Sequence, residues 1–235
     1  MKAIILGAGK ATRLLPLTKE IAQSMLKIGE KSILEIQIEN LKKAGIDDII
    51  LITGHSADKL EEFCKEREIK TLFNPFYKVS GMALTLWIAK EKLKGGFLFL
   101  YSDILFDSKI IIKLLENKND ICLAIKKNEL REEAEKVVEE EGVIKIISKD
   151  KIDKENGEFI GIAKFSENGA EKIIEELKNT AKTNLNASFI EIIDELINKG
   201  EKVAACHIQD AQFIDIDFPE DLEKAKRIFG NKKIL

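Results

Sequence analysis

An α/β fold with a parallel sheet covered by helices on both faces is predicted by three features of the sequence. Strand-like apolar runs alternate with helical patterns through the first third of the chain. Residues 97–102 carry no charge and are followed by Asp103, as expected of a strand buried on both faces. Residues 3–6 form an isoleucine-rich run that breaks at two glycines, which is typical of a central first strand. We therefore predict a three-layer sandwich.

Start and stop signals justify the individual elements. Ser32 and Ser188 each precede a Glu by three residues, which is the spacing of a capping box, and Gly45 and Gly200 end these two helices. Residues 127–156 are polar and rich in Lys and Glu, and only residues 142–147 are predicted as a strand there. The other predicted strands cover residues 3–6, 48–53, 70–73, 97–102, 120–126, 157–165, 203–208 and 213–217. The other predicted helices cover 56–67, the segment from 81 to 95, and segments that begin after 108, 165 and 219.

Composition limits the classes of protein that fit. The 235 residues contain no Pro/Gly/Ser-rich linker, so one domain over residues 1–235 is predicted. Charged residues make up 34% and hydrophobic residues 45%, a balance that resembles a heat-adapted protein. The net charge of −3 and the absence of a basic stripe with aromatics argue against a nucleic-acid partner. The apolar runs are too short for a membrane span.

The three cysteines and the N-terminus favour a cytoplasmic location. Cys64, Cys122 and Cys206 lie far apart and lack the spacing of metal ligands, so reduced, buried thiols are expected. The apolar start of the chain is too short for a signal peptide.

The glycine turn after the first strand predicts a phosphate-binding loop. Successive backbone N–H groups, close approach at Gly7 and Gly9, and the cations Lys10 and Arg13 all favour a negatively charged ligand. The turn fits neither of two familiar phosphate loops. A P-loop would need a hydroxyl residue where Ala11 stands, and a dinucleotide fingerprint would need an acid at the end of the second strand. An ordinary turn is the alternative.

Three carboxylates predict a divalent metal site. Asp103 follows a buried strand at its carboxyl end, where ligands bind in open α/β sheets. Alternation along residues 213–217 places Asp215 and Asp217 on one face, where they repel each other unless a cation lies between them. An Asp103 that caps the next turn and an Asp217 that favours the start of the last helix are the alternatives.

Residues 9–18, together with Met25-Leu26-Lys27-Ile28-Gly29, resemble the signature of nucleotidyltransferases that activate phosphorylated sugars, polyols and amino alcohols. The resemblance implies the nucleotide-diphospho-sugar transferase type of fold, which is Rossmann-like with a mixed, mostly parallel sheet. It implies nucleotide binding by residues 1–110 and acceptor binding by residues 111–235. It also implies Mg²⁺ on Asp103, Asp215 and Asp217. The family's second loop glycine is Ala11 here, and its proline-lysine pair before Met25 is Ala22-Gln23.

The same resemblance implies roles for individual residues. The resemblance implies that Arg13 contacts the triphosphate. Lys10 and Lys27 are expected to stand in as catalytic cations for the lysine that Gln23 replaces, and Lys27 is predicted to share a face with Gln23 because the two are an even number of residues apart. Lys149, Glu158 and Gly161 are implied on the acceptor side, where a lysine of the family holds the phosphate of the acceptor. Lys145 could serve in place of Lys149, and a solvated surface lysine is the alternative for each. The implied nucleotide-binding residues are Leu6, Gly7, Ala8, Gly9, Lys10, Thr12, Arg13, Gln23, Gly54, Ser80, Gly81 and Ser102.

The expected reaction is transfer of a cytidylyl group from CTP to a phosphorylated polyol or amino alcohol, with release of pyrophosphate. The turn at residues 53–55, the strand at 158–165 and the paired acids are most similar to cytidylyltransferases that act on inositol 1-phosphate, phosphocholine or aminoethylphosphonate. The heat-adapted composition fits an organism that makes inositol-based solutes, which favours inositol 1-phosphate as the acceptor. A uridylyl-, thymidylyl- or guanylyltransferase on a sugar 1-phosphate and a catalytically impaired nucleotide-binding regulatory module are the alternatives. A homodimer is left open.

Overall fold

The computed structural model describes residues 1–127, 131 and 133–230. The strands are β1 (Lys2–Gly7), β2 (Lys27–Ile28), β3 (Lys31–Ser32), β4 (Ile49–Thr53), β5 (Lys70–Phe73), β6 (Phe97–Tyr101), β7 (Ile104–Phe106), β8 (Ile121–Lys126), β9 (Glu135–Glu140), β10 (Val143–Ser148), β11 (Gly157–Phe165), β12 (Val203–His207) and β13 (Phe213–Asp215). The α-helices are α1 (Ile33–Lys43), α2 (Ala57–Lys65), α3 (Met82–Ile88), α4 (Lys90–Leu93), α5 (Ser108–Glu116), α6 (Glu167–Thr180), α7 (Phe189–Asn198) and α8 (Pro219–Phe229).

Most strands of the described chain join one sheet of nine, in the order β5-β4-β1-β6-β11-β8-β12-β10-β9. The first four strands of this order run parallel, as the strand-helix alternation predicted. Beyond β6 the pairing is antiparallel except for β12 with β8. The sheet is therefore mixed, as expected, but parallel pairing does not dominate outside its first half. Strand β9 also folds back to pair with the first residues of β11.

Two hydrophobic clusters cover the two faces of the sheet. Strand β1 shows the division, because Ile4 points into one cluster and Ile5 into the other. Helices α3, α6 and α7 supply the first cluster, in which the rings of Phe99 and Phe189 stack 3.8 Å apart. Helices α1, α2 and α5 supply the second. The three layers predicted from the sequence are thus present. Within the described residues, no helix has the length and apolar character needed to cross a membrane.

The local signals predicted some element ends better than others. Both capping boxes form, at Ser32 of α1 and Ser188 of α7, with reciprocal backbone and side-chain hydrogen bonds. The predicted helix from 81 to 95 is divided into α3 and α4 at Ala89. The predicted strand 213–217 ends at Asp215. Strand β9 was not predicted, because its buried positions include charged residues such as Glu135 and Glu139, which obscure any apolar alternation.

Candidate nucleotide and acceptor site

One cavity of about 590 Å³ lies at the carboxyl ends of β1 and β6 and extends toward β9 and β11. Each of its walls comes from a different part of the chain, as expected for a ligand site in an open α/β sheet. The lining residues are Leu6, Gly7, Ala8, Gly9, Arg13, Ala22, Gln23, Ser24, Tyr77, Ser80, Gly81, Met82, Thr85, Tyr101, Ser102, Asp103, Arg131, Glu133, Glu135, Lys149, Phe159, Ile160, Gly161, Asn186, Ser188, Asp215 and Asp217.

Backbone forms the wall that follows β1. The turn after this strand is held against the turn after β4, where His55 N–H donates to the Ala8 carbonyl at 3.1 Å. Gly54 is required at this contact, because a Cβ there would lie 2.7 Å from the Tyr77 Cβ and 2.8 Å from the Ala8 oxygen. Gly54 therefore supports the loop from behind and is not among the lining residues. Ala11 adopts a left-handed conformation with φ 46°, which a glycine would occupy at lower cost.

The segment before α3 forms the facing wall. Gly81 N–H donates to the Leu185 carbonyl at 2.8 Å, and a Cβ at Gly81 would overlap the carbonyl oxygens of Asn186 and Ala187. Ser80 is fixed by the buried Asn74, whose Nδ2 donates to the Ser80 hydroxyl at 3.2 Å. Close backbone packing thus fixes this wall against residues 185–187.

The three predicted metal ligands converge on the cavity. Strand β13 pairs with β7, and Ile216 N–H donates to the Asp103 carbonyl at 3.0 Å, which brings residues 215–217 beside Asp103. Burial and the neighbouring Asp215 and Asp217 raise the pKa of Asp103 well above its usual range. Burial and the Asp217 charge raise the pKa of Asp215 to about 6. The three carboxyl groups are therefore close enough to repel one another.

Two arginines hold carboxylates of this group. Arg13 contacts Asp217 at 3.3 Å and Glu133 at 3.0 Å, and Arg131 contacts Asp215 at 3.4 Å. Within the described residues, no cluster of three or more His, Cys, Asp or Glu side chains is arranged to hold a metal ion. The predicted ligands therefore share a cavity without forming a preassembled metal site. The buried Asp103 Oδ1 nevertheless accepts no hydrogen bond, and carboxylate oxygens are the donors that Mg²⁺ prefers. This donor set fits the predicted ion.

Gln23 contacts the same segment, where the family pattern has lysine. Its Nε2 donates to the Ile216 carbonyl, between Asp215 and Asp217. The glutamine side chain thus ties the loop that follows the glycine turn to the backbone of the acidic segment. It lines the cavity without contributing a charge.

Five residues of the predicted site do not line the cavity. The prediction that Lys27 shares a face with Gln23 is wrong, because residues 23–25 form a 3-10 turn and not a strand. Lys27 instead pairs with Glu35 at 3.2 Å. Glu158 is fully buried and receives Arg131 Nε at 3.4 Å. The residues outside the lining set are Lys10, Thr12, Lys27, Gly54 and Glu158.

The acceptor-side prediction missed several lining residues. Lys149 and Gly161 do reach the cavity, but Tyr101 and the charged groups from the segment before and within β9 were not predicted. No local pattern marks that segment, because it enters the cavity only through long-range pairing of β9 with β11. The missed charged residues are Arg131, Glu133 and Glu135.

Comparison with known proteins decides the family. The family model described as nucleotidyl transferase matches residues 2–231. The chain belongs to the nucleotidyl transferase family. It is therefore a transferase enzyme of the nucleotidyltransferase class. Members of this family generally use a divalent metal.

Individual members of the nucleotidyl transferase family are similar over nearly the whole chain. A CTP:phosphoglutamine cytidylyltransferase of Campylobacter jejuni is 28% identical, over 95% of this chain and 98% of that protein. A D-glycero-alpha-D-manno-heptose 1-phosphate guanylyltransferase of the same organism is 31% identical, over 94% and 96%. Among solved structures, the inositol-1-phosphate CTP transferase of T. maritima has a TM-score of 0.82 at 20% identity, over 97% and 96%. This last similarity confirms the predicted type of fold.

Proposed function

We propose that this protein transfers a cytidylyl group from CTP to a phosphorylated alcohol and releases pyrophosphate. The observation that carries the proposal is the convergence of Asp103, Asp215 and Asp217 on one cavity that also receives the Gly7–Gly9 turn. This arrangement places a metal-binding donor set in the same cavity as a loop suited to phosphate.

Cytidylyl transfer depends on positioning of the substrates and neutralisation of their charge more than on covalent catalysis. A phosphate oxygen of the acceptor attacks the α-phosphorus of the nucleotide, and pyrophosphate leaves in line. Asp103, Asp215 and Asp217 would hold Mg²⁺, which would supply positive charge next to the triphosphate. Arg13 is half-exposed in the cavity and would exchange its carboxylate partners for phosphate oxygens. The roles predicted for Lys10 and Thr12 stay predictions.

The choice of CTP is supported by the Campylobacter relative that is named for CTP and spans almost all of this chain. The relatives named as cytidylyltransferases support phosphorylated alcohols as the class of acceptor. They differ in the individual acceptor, so they do not select one. Inositol 1-phosphate, favoured by the sequence, and a phosphorylated amino alcohol are both candidates. Nucleotide binding by residues 1–110 and acceptor binding by residues 111–235 within one domain, the cytoplasmic location, heat adaptation and the homodimer stay predictions.

Pyrophosphate release tests the proposal. The purified protein with Mg²⁺ is assayed with each of CTP, UTP, dTTP and GTP, in combination with inositol 1-phosphate, choline phosphate, ethanolamine phosphate and glucose 1-phosphate. Turnover with CTP and a phosphorylated alcohol is expected. Turnover with UTP, dTTP or GTP and a sugar phosphate, but none with CTP, would instead establish the rival transferase, which the guanylyltransferase relative represents.

A nucleotide-binding regulatory module is the second candidate, favoured by the uncharged Gln23 where the family has lysine. Nucleotide binding by calorimetry without magnesium-dependent turnover would support it. Activity gained on Gln23→Lys, from a chain that is otherwise inactive, would support it further.

A further inference from the structure

A buried carboxylate and two aromatic rings form the part of the cavity wall that comes from β6, β9 and β11. Glu135 on β9 and Phe159 on β11 are paired across antiparallel strands, so their side chains share a face. Tyr101 donates its hydroxyl to Glu135, at 3.2 Å from Oε1 and 3.0 Å from Oε2, and its ring meets that of Phe159 edge-on at 6.0 Å. All three line the cavity. We call Tyr101, Glu135 and Phe159 the aromatic-carboxylate subsite.

The Tyr101 ring is held in place by close packing. Gly161 has φ +78° at an irregularity in β11, and a Cβ there would lie 2.5 Å from the Tyr101 ring. The ring is packed on its other sides by Phe99 and Phe189. The hydroxyl that contacts Glu135 is thus fixed from several directions.

The charge of Glu135 is compensated less than that of its neighbours. Asp217 and Glu133 share Arg13, and Asp215 pairs with Arg131. In the described part of the chain, the cation that pairs with Glu135 is Lys149, at 3.8 Å. That is a long contact from a lysine side chain that is 62% exposed, to a carboxylate side chain that is 9% exposed. A buried carboxylate with so little compensation is costly.

The acceptor phosphate would remove even this compensation. The following step rests on the proposed function and on the predicted role of Lys149 in binding the phosphate of the acceptor. An ammonium group binds a dianionic phosphate in preference to a carboxylate at 3.8 Å, so Lys149 would turn away from Glu135. Among the described residues, Glu135 would then keep the Tyr101 hydroxyl as its partner. A cationic group on the ligand would replace the positive charge that Lys149 had supplied.

We infer that the aromatic-carboxylate subsite binds a cationic nitrogen of the acceptor, and that the substrate is the phosphate of an amino alcohol and not of a neutral polyol. Glu135 supplies the counter-charge, and Tyr101 and Phe159 supply aromatic surface of the kind that binds ammonium groups. Burial raises the pKa of Glu135 to about 7, although Lys149 and the Tyr101 hydroxyl oppose this, and Asp215 and Asp217 add to it. A cation bound at the subsite would relieve that unfavourable environment.

Matched acceptors test the inference. Ethanolamine phosphate is compared with 2-hydroxyethyl phosphate, in which a hydroxyl replaces the ammonium group. Choline phosphate is compared with 3,3-dimethylbutyl phosphate, its uncharged isostere. The wild-type protein is expected to show kcat/KM at least ~10-fold higher for the charged member of each pair, as one desolvated ion pair allows.

The variant Glu135→Gln keeps the shape and removes the charge. It is expected to bring the charged-to-neutral ratio of kcat/KM to within about 3-fold of unity, mainly through KM, because only the ion pair is lost. Glu140→Gln is the matched control. It removes the same charge from the exposed end of the same strand, and the ratio should keep its wild-type value. Circular dichroism checks that both variants fold.

Equal use of charged and neutral acceptors by the wild type, or discrimination that survives in Glu135→Gln, would overturn the inference. Absence of turnover with every nucleotide and acceptor would overturn the proposed function instead. Calorimetric titration of choline phosphate and its uncharged isostere into both proteins then decides the inference without turnover. Tighter binding of choline phosphate that depends on Glu135 supports it, and equal binding contradicts it.

Discussion

The two ends of the cavity are lined by different kinds of group, backbone at one end and charged side chains at the other. At one end, which we call the glycine end, the walls are largely backbone around Gly7, Gly9 and Gly81, with close contacts that a Cβ would disturb at Gly81. At the other, which we call the carboxylate end, charged side chains such as Glu135 and Asp215 project from strands far apart in sequence. Backbone N–H groups carry no net charge, whereas buried charged side chains need partners of opposite charge. The glycine end is therefore fixed by packing, and the carboxylate end by charge balance.

Asp103 lies where the two ends meet, and its loss should have the largest effect. Asp103→Ala removes the buried oxygen that accepts no hydrogen bond and is expected to lower kcat/KM at least ~100-fold, because a metal contributes several kcal/mol to such reactions. Asp47→Asn, an exposed acid before β4, is the control. A near-normal rate for Asp103→Ala in the pyrophosphate assay would remove this residue from the site.

At the glycine end, Gly81→Ala should act through packing. The added Cβ overlaps two backbone carbonyls, so the free energy of unfolding is expected to fall by about 2–3 kcal/mol. Gly9→Ala is the contrast, because nothing lies within 4 Å of its Cβ, and it should change the unfolding free energy little. Urea titration measures both. An equal loss in the two variants would contradict the account of this end.

At the carboxylate end, Glu135→Gln should stabilise the protein in a pH-dependent way. The pKa of Glu135 is about 7 in the folded protein against 4.5 as the reference, so the folded state keeps a proton that the unfolded state has lost. Wild-type stability should therefore fall as pH rises from about 4.5 to about 7. The variant lacks this penalty and should gain about 2 kcal/mol at pH 8 and almost nothing at pH 4.

Denaturant titrations at the two pH values check this prediction. A gain of the same size at both would show that the effect is not due to the Glu135 charge. Glu140→Gln is the control for the loss of one negative charge from the same strand, because that carboxylate is exposed.

Gln23 links the two ends, and its effect should be the smallest. Gln23→Ala removes the donor to the Ile216 carbonyl and should lower kcat by roughly 10-fold, because Asp215 and Asp217 are then held less well. Gln23→Lys can still donate to that carbonyl and should stay within a few-fold of wild type. A large gain of activity in Gln23→Lys would instead favour the impaired regulatory module.

The sequence predicted the glycine end and the three acids because each depends on a local pattern: a strand, a turn and the residue that follows it. It did not predict Glu133 and Glu135, which reach the cavity only because β9 folds back onto β11. Charged residues at buried positions hide that strand from any analysis of apolar alternation. The error at Lys27 is of another kind, since even spacing has meaning only in a strand and residues 23–25 form a turn.

The central claim is that Asp103, Asp215 and Asp217 bind one divalent ion opposite the glycine turn. Crystals grown with CTP and Mn²⁺ and measured for anomalous scattering test it most directly. We predict one manganese peak within roughly 2.5 Å of a carboxylate oxygen of Asp103 and of at least one of the other two, with Arg13 moved onto the triphosphate. A manganese ion bound by CTP and water alone, with the acids still paired to Arg13 and Arg131, would contradict the account.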